Sequence, residues 1–343
     1  MRDRKVLQSP TMRHISFLIY LVFAALVLLA AACDPLAPQA TPQVIIVTPI
    51  PSATPPATPT PPPTRTPIPT LTPVRTPTAT PFPCDDDSGR VEIFDQFRSP
   101  TAGATLRYQV YMPPCYLESQ KRYPYVFLLH GADNNETHWP GLGLVETLDQ
   151  GFRLGALSPM IVVMPYMGSI GNDNSFPPDP SFETVVLDEL IPAIERDFCT
   201  WNDREHRAIG GISRGGFWAY SIALRHPDVF GIVGGHSAFF PDDLSTVPAA
   251  FNPLELALNA SFLEEADLRM YLDNGASDFA GISQELFSSR LSARGIPHTY
   301  VINPVGDHDD AYWSAHLSEY LAFYGRGWPR AVGDLPSCLE PSP

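Results

Sequence analysis

The sequence is short of basic charge. It has 22 Lys+Arg against 37 Asp+Glu, a formal net charge of −15. From residue 84 onward there are 16 Lys+Arg and 35 Asp+Glu, a net −19, while residues 1–83 carry 6 against 2, a net +4. With no basic footprint to displace counterions from phosphates, the chain is not expected to take nucleic acid as a partner. A polybasic membrane patch is missing for the same reason. Cysteine is also scarce, with five in 343 residues and no Cys-x-x-Cys spacing, which argues against a structural zinc site. No segment repeats another, so a repeat architecture is not indicated.

Proline is the exception. Of 39 prolines, 17 fall within residues 34–83, in a Thr-Pro-rich stretch typified by Thr58-Pro59-Thr60-Pro61. Such a segment lacks the apolar mass to bury a core and many of the amide donors to build a ladder. It reads as a disordered linker, extended near polyproline II at ~3.1 Å per residue. About 260 residues remain, enough for one well-buried domain. The expected organisation is therefore residues 1–33 as signal, 34–83 as linker and 84–343 as the folded domain.

The first 33 residues have the three parts of an export signal. Arg2, Arg4, Lys5 and Arg13 form a basic start, residues 15–32 are apolar, and Ala30-Ala31-Ala32 precede Cys33. The small-small-Cys ending resembles a bacterial lipoprotein box, which implies lipidation at Cys33 and an exported, cell-surface, membrane-anchored protein. A plain secretory signal and a retained anchor are the alternatives, since about 18 apolar residues approach the spanning length. In an exported protein disulfides persist. The four other cysteines allow three pairings, and Cys84–Cys115 with Cys199–Cys338 is the expected one.

From residue 84 the chain opens with two alternating or β-branched runs, 91–97 and 105–112. Short, largely apolar runs then follow at 125–130, 161–164, 208–212, 232–235 and 268–272, the pattern of strands buried on both faces. Helical patterns separate them at 144–154, 182–198, 216–225, 284–294 and 310–324. This alternation predicts an α/β fold, a mostly parallel sheet with an antiparallel start and helices on both faces. Residues 238–266 have no place in it and are expected to make an excursion above the sheet.

One motif carries chemistry. Gly211-Ile212-Ser213-Arg214-Gly215 is a G-x-S-x-G between a predicted strand and a predicted helix, the context of a nucleophile elbow. Glycines are needed because flanking Cβ atoms would meet the neighbouring strand and helix. The helix N-terminus behind the serine favours developing negative charge. A serine needs a base and an orienting acid, expected in the order Ser, acid, His. Of the later histidines, His226 ends a helix, His236 precedes any suitable acid, His298 opens a strand and His316 lies within a helix. His308, in a polar loop before the last helix, is the expected base. Asp278, in the loop after the strand ending near Asp273, is the favoured acid, with Asp273 as the alternative. The backbone N–H groups of Arg214 and Ala132 are the expected oxyanion donors.

Together, Tyr111-Met-Pro-Pro, Tyr123-Pro-Tyr-Val-Phe-Leu-Leu-His-Gly, Ile161-Val-Val-Met-Pro, Gly210-Gly-Ile-Ser-Arg-Gly-Gly and Gly306-Asp-His-Asp-Asp-Ala-Tyr-Trp313 resemble the esterase D/feruloyl esterase-type family of α/β-hydrolases, over roughly residues 90–325. That family is similar in turn to mycolyltransferases. The resemblance implies the α/β-hydrolase fold and serine ester hydrolysis, with Ser213 as nucleophile, Asp278 as acid and His308 as base. It implies no metal and no cofactor. Asp307 stands where the family often has glycine, and no glycine run follows His130-Gly131, which weakens a lipase reading. The implied partner is a small-molecule or polysaccharide-linked acyl or feruloyl ester outside the cell. Acyl transfer of the mycolyltransferase type, and a non-catalytic surface-binding module on the same fold, are the alternatives. Trp139, Tyr166, Phe176, Trp218, Phe239 and Phe240 flank strand ends and are candidates for an aryl pocket, or for core.

Overall fold

The computed structural model describes residues 43–47 and 86–339. The signal, Cys33, most of the linker and Cys84 lie outside the described residues. Nine strands form one sheet: β1 (Gln43–Val47), β2 (Arg90–Ser99), β3 (Ala104–Met112), β4 (Tyr125–Leu129), β5 (Ile161–Pro165), β6 (Arg207–Ile212), β7 (Ile232–His236), β8 (Arg269–Gly275) and β9 (His298–Asn303). Their order is β1-β9-β8-β7-β6-β4-β5-β3-β2. The six strands from β5 to β9 across β4 run parallel, and β3 and β2 are antiparallel to them and to each other. The mostly parallel sheet with an antiparallel start matches the expectation.

One strand was not expected. Gln43-Val-Ile-Ile-Val47 falls in the segment read as linker, yet it pairs antiparallel with β9 from Gln43↔Ile302 to Val47↔His298. The reason is local. Five consecutive β-branched residues, Val44 to Thr48, stand between Pro42 and Pro49 with no proline among them, and such residues favour a pleated strand.

Both sheet faces are covered. Along β4, Tyr125, Phe127 and Leu129 pack into one apolar layer while Val126 and Leu128 pack into the other, the two-residue period of a strand with no solvent face. One layer is completed by α1 (Leu144–Arg153) and α6 (Asp310–Tyr324) through Leu144, Leu148, Leu317 and Leu321. The other holds α2, which runs from Phe182–Thr184 through a π-turn at Val185–Leu190 to Ile191–Asp197. The π-turn ends just before Pro192, whose missing N–H interrupts the helical ladder. With α2 lie α3 (Arg214–Arg225), α4 (Pro253–Asn259) and α5 (Gly281–Ala293). Helix α4 accounts for the stretch without a place in the alternation: Leu254 and Ala257 are buried in this layer.

Cys199 and Cys338 are bridged as expected, with Cα atoms 5.8 Å apart. Cys115 is also disulfide-bonded, and its expected partner Cys84 lies outside the described residues. No helix of the described residues is long and apolar enough to cross a membrane. The apolar run 15–32 lies outside them.

Candidate functional site

The site forms where the parallel strands end. Ser213 follows β6, with backbone angles φ 53° and ψ −113°, a region that L-residues rarely occupy and that persists only when the surroundings impose it. The glycines show how they do. A Cβ on Gly211 would lie 2.4 Å from the Gly215 carbonyl carbon, and one on Gly215 would lie 2.5 Å from the Leu129 carbonyl oxygen. A Cβ on Gly216 would meet that of Ala238 at 2.6 Å. The turn therefore closes only with glycine at these positions. Helix α3 starts at Arg214, and no side chain caps its N-terminus. Its first N–H groups lack intrahelical acceptors and surround the serine.

Asp278 and His308 come together. His308, in the loop between β9 and α6, places Nδ1 2.8 Å from Oδ1 of Asp278 in the loop after β8. The Ala280 N–H donates to the same oxygen at 2.8 Å. Burial pushes the Asp278 carboxyl pKa up, but hydrogen bonds from His308, Ser237 and Ala280 outweigh it and hold the carboxyl below its ordinary 3.8. Asp278 thus stays an acceptor, which places a proton on Nδ1 of His308. No direct hydrogen bond joins Ser213 to His308 in this resting structure. Chains of neighbours connect them: the Phe239 N–H donates to the Ser213 carbonyl at 3.3 Å, the Phe239 ring lies 6.0 Å from Phe279, and Phe279 lies 4.3 Å from the His308 ring. Such final approaches are often loose without substrate.

Asp273 has a different task. It is fully buried and pairs with His236, Oδ1 to Nδ1 at 2.8 Å. Its Oδ2 accepts from the Tyr312 and Tyr320 hydroxyls at 2.6 and 2.8 Å. Nε2 of His236 meets the Tyr324 hydroxyl at 2.9 Å. This second Asp–His pair has no serine beside its imidazole and no access to solvent. It anchors α6 to the sheet beneath the site. His226 caps the C-terminal end of α3 and bonds Glu183 at 2.8 Å, the helix-end place expected of it.

The loop after β4 lies against the serine, since a Cβ on Gly131 would come within 3.9 Å of the Ser213 Cβ. His130 holds that loop. It is buried, and burial pushes its pKa down to about 4. As the neutral ring it accepts the Met167 N–H at Nε2, 3.0 Å away, which puts its proton on Nδ1, 2.6 Å from the Gly131 carbonyl. C=O and N–H of a trans peptide point in opposite directions. Fixing the Gly131 carbonyl toward His130 therefore turns the Ala132 N–H the other way, and that N–H makes no hydrogen bond among the described residues. Tyr166 stacks on His130, with centroids 5.7 Å apart.

The Arg214 side chain points away from this chemistry. It donates to the carbonyls of Gly171 and Asp173 and to Asn174, at 2.7–2.8 Å. It thereby ties the loop after β5 to α3, and burial lowers its pKa to about 10. Asp307 accepts the backbone N–H of His308 at 2.9 Å, which shapes the loop. Trp313 stands edge-on to His308, 5.2 Å away, and its indole N–H donates to Ser237 at 2.9 Å.

Of the six aromatic candidates, Trp139, Phe176, Trp218 and Phe240 are core, Tyr166 is half-buried and Phe239 is exposed. Sequence reasoning missed Phe279 and Ser237. Phe279 follows Asp278 directly and is 58% exposed beside His308, so it stands at the mouth of the candidate site rather than in the core. Ser237, at φ 50°, follows β7 with no motif to mark it.

A family model described as a putative esterase matches residues 99–324. An endo-1,4-β-xylanase/feruloyl esterase of Xylanibacter ruminicola is 36% identical over 162 residues, covering 43% of this chain and 22% of that protein. An esterase of Mycobacterium tuberculosis is 30% identical over 148 residues, 41% of this chain and 31% of that one. The chain thus spans less than a third of these relatives. Among solved structures, a ferulic acid esterase superposes with TM-score 0.63 at 25% identity, covering 71% of this chain and 99% of its own. An S-formylglutathione hydrolase of Staphylococcus aureus gives 0.57 at 21%, covering 69% and 98%, a likeness of fold.

Proposed function

Because the chain belongs to the putative esterase family of α/β-hydrolases, we propose that it is a serine carboxylic-ester hydrolase that works through an acyl-enzyme. The observation that carries the reading is the Asp278–His308 bond of 2.8 Å at the same strand ends as a serine held at φ 53°. Ser213 attacks the ester carbonyl while Nε2 of His308 takes its proton. Asp278 fixes the tautomer and stabilises the imidazolium. The carbonyl oxygen becomes an oxyanion between the N–H groups of Ala132 and Arg214, with the α3 N-terminus adding its partial positive charge. His308 then protonates the leaving alcohol, and water, deprotonated by His308, releases the acid and restores Ser213.

The substrate class is acyl or feruloyl esters outside the cell, small or carried on polysaccharide. Support comes from the feruloyl esterases among the relatives and from Phe239 and Phe279 flanking the site. The export-like start and the Cys199–Cys338 bridge, which suits an oxidising compartment, support an exported enzyme held at the membrane through Cys33.

The test is fluorophosphonate labelling, followed by p-nitrophenyl and feruloyl esters. Wild type is expected to label and to hydrolyse both classes, and Ser213→Ala to do neither. An unlabelled wild type would refute the enzyme. Labelling that survives Ser213→Ala would refute the serine.

A further inference from the structure

At the opposite pole, where the parallel strands begin, basic residues gather. Arg204, Arg269, Arg326 and Arg330 line two neighbouring cavities of about 470 and 300 Å³ that share Arg326 and Gly327. These are 4 of the 16 basic residues in the strongly acidic part of the chain. Strand β8 spans seven residues from Arg269 toward the catalytic end, about 20 Å at the usual rise. The two regions are therefore separate.

The charges here are poorly offset. Arg204 has Glu205 at 3.3 Å. Arg269, Arg326 and Arg330 have no carboxylate within 4 Å among the described residues. The acids nearby are Glu205, Asp267 and Glu319, and Glu319 already accepts from His316 at 3.1 Å. Arg269 donates to the carbonyls of Tyr324 and Arg326, closing the end of α6, but its Nε is buried with no acceptor. Arg269 and Arg326 lie over the same Phe323 ring, at 5.5 and 5.7 Å. Burial and then the Arg326 charge lower the Arg269 pKa to about 10. Two guanidinium groups sharing a ring, with Arg330 on the same cavity as Arg326, make an electropositive groove that attracts an anion.

The walls say more about its size. The larger cavity is within the range of small-molecule sites and far exceeds what a bare ion needs. Phe323 and Tyr271 line it, and the Tyr271 hydroxyl has no hydrogen bond among the described residues. Both rings are buried and floor the cavity rather than face it, so the recognition falls to the fork-shaped cations, which suit a carboxylate, and the volume leaves room for the polar ring that bears it. We propose that this groove is a second, non-catalytic binding site for an acidic sugar, its carboxylate held by Arg326 with Arg269 and Arg330 around it.

The test is titration of the folded protein with glucuronate, inorganic phosphate and glucose, followed by calorimetry and by the fluorescence of Trp328, which lines the smaller cavity. Arg326→Ala is the main variant, because that side chain is exposed and its removal leaves the core intact. Arg326→Lys keeps the charge and loses the fork. The expected result is saturable glucuronate binding, tighter than phosphate and much tighter than glucose. It should weaken about tenfold or more in Arg326→Ala, with an intermediate effect in Arg326→Lys and p-nitrophenyl acetate turnover unchanged in both. Absence of saturable glucuronate binding would overturn the proposal. Phosphate or glucose binding as tightly as glucuronate would overturn the ligand class, and unchanged binding in Arg326→Ala would overturn the location.

Discussion

His130 offers the sharpest test of the proposed oxyanion site, because the residue is buried behind the loop that would supply the donor. Its Nδ1–H holds the Gly131 carbonyl at 2.6 Å, and its Nε2 accepts the Met167 N–H at 3.0 Å. In His130→Ala the Gly131–Ala132 peptide keeps the Asn134 N–H on its carbonyl at 3.1 Å but loses the shorter of the two bonds that aim the Ala132 N–H. Full loss of one oxyanion donor costs 10²–10³ in kcat, and a mis-set peptide is expected to fall near the lower end, about 10². KM should hardly change, since the donor acts on charge that develops only in the transition state. His130→Asn can return an N–H close to the Nδ1 position and should recover part of kcat, though not the Met167 bond. That bond reads out separately as stability, because a buried N–H without an acceptor costs about 1–3 kcal/mol. Proton linkage gives an independent measure. Burial lowers the His130 pKa from 6.5 to about 4, so the unfolded chain binds the extra proton first. The stability contributed by the neutral ring is complete above pH 6.5 and is lost as pH falls from there toward 4, an amount of roughly 3 kcal/mol. Stopped-flow acylation at saturating p-nitrophenyl acetate, with urea melts at pH 7 and pH 4.5, measures both. A kcat in His130→Ala within about threefold of wild type would refute the peptide-aiming argument, whatever the melts show.

Three further outcomes follow from the same geometry. Asp278→Asn should leave the fold intact and lower kcat by about 10²–10⁴, by removing the negative acceptor that fixes the His308 tautomer; pre-steady-state bursts on p-nitrophenyl acetate would measure it. The depressed carboxyl also predicts that wild type gains stability from Asp278 above pH 3.8 and loses it as pH falls through the lowered pKa, a slope that Asp278→Asn should flatten in acid melts. Gly211→Ala drives a Cβ to 2.4 Å from the Gly215 backbone; it should abolish fluorophosphonate labelling and lower the urea midpoint by the equivalent of about 1–3 kcal/mol. Phe279→Ala should raise KM for feruloyl and other aryl esters about 2–10-fold with little change for acetyl esters, the worth of one aromatic pair, as steady-state kinetics on the two ester classes will show.

Most of the fold was legible because buried parallel strands leave short, unbroken apolar runs, and each such run from 125–130 to 268–272 became a strand. The elbow was legible for a related reason: glycine at 211, 215 and 216 is forced by contacts the motif already implies. The acid was harder. Asp273 and Asp278 stand five residues apart on one strand exit, and nothing local tells which reaches His308. The deciding fact is distant, since His236, Tyr312 and Tyr320 already claim Asp273. Direction was the other blind spot. Aromatics flanking strand ends look alike in sequence, yet Trp139 and Trp218 turn inward while Phe239 and Phe279 face solvent. The linker reading averaged over fifty residues and so concealed five that pair.

Under the proposed anchoring through Cys33, strand β1 bears on how the enzyme could be set free. It lies at one edge of the sheet and β2 at the other, so residues 48–89 join opposite rims. A protease that cut there would leave the body joined to the N-terminal piece, among the described residues, through the five residue pairs of β1 and β9. Shedding would then take two events, a cut and a peeling, and the second is reversible. The peeled body would expose the rim of β9, whose free N–H and C=O groups invite pairing with another copy. Preparations that start at residue 84 are that peeled body and should self-associate more than those that start before residue 43, a difference that light scattering can read directly.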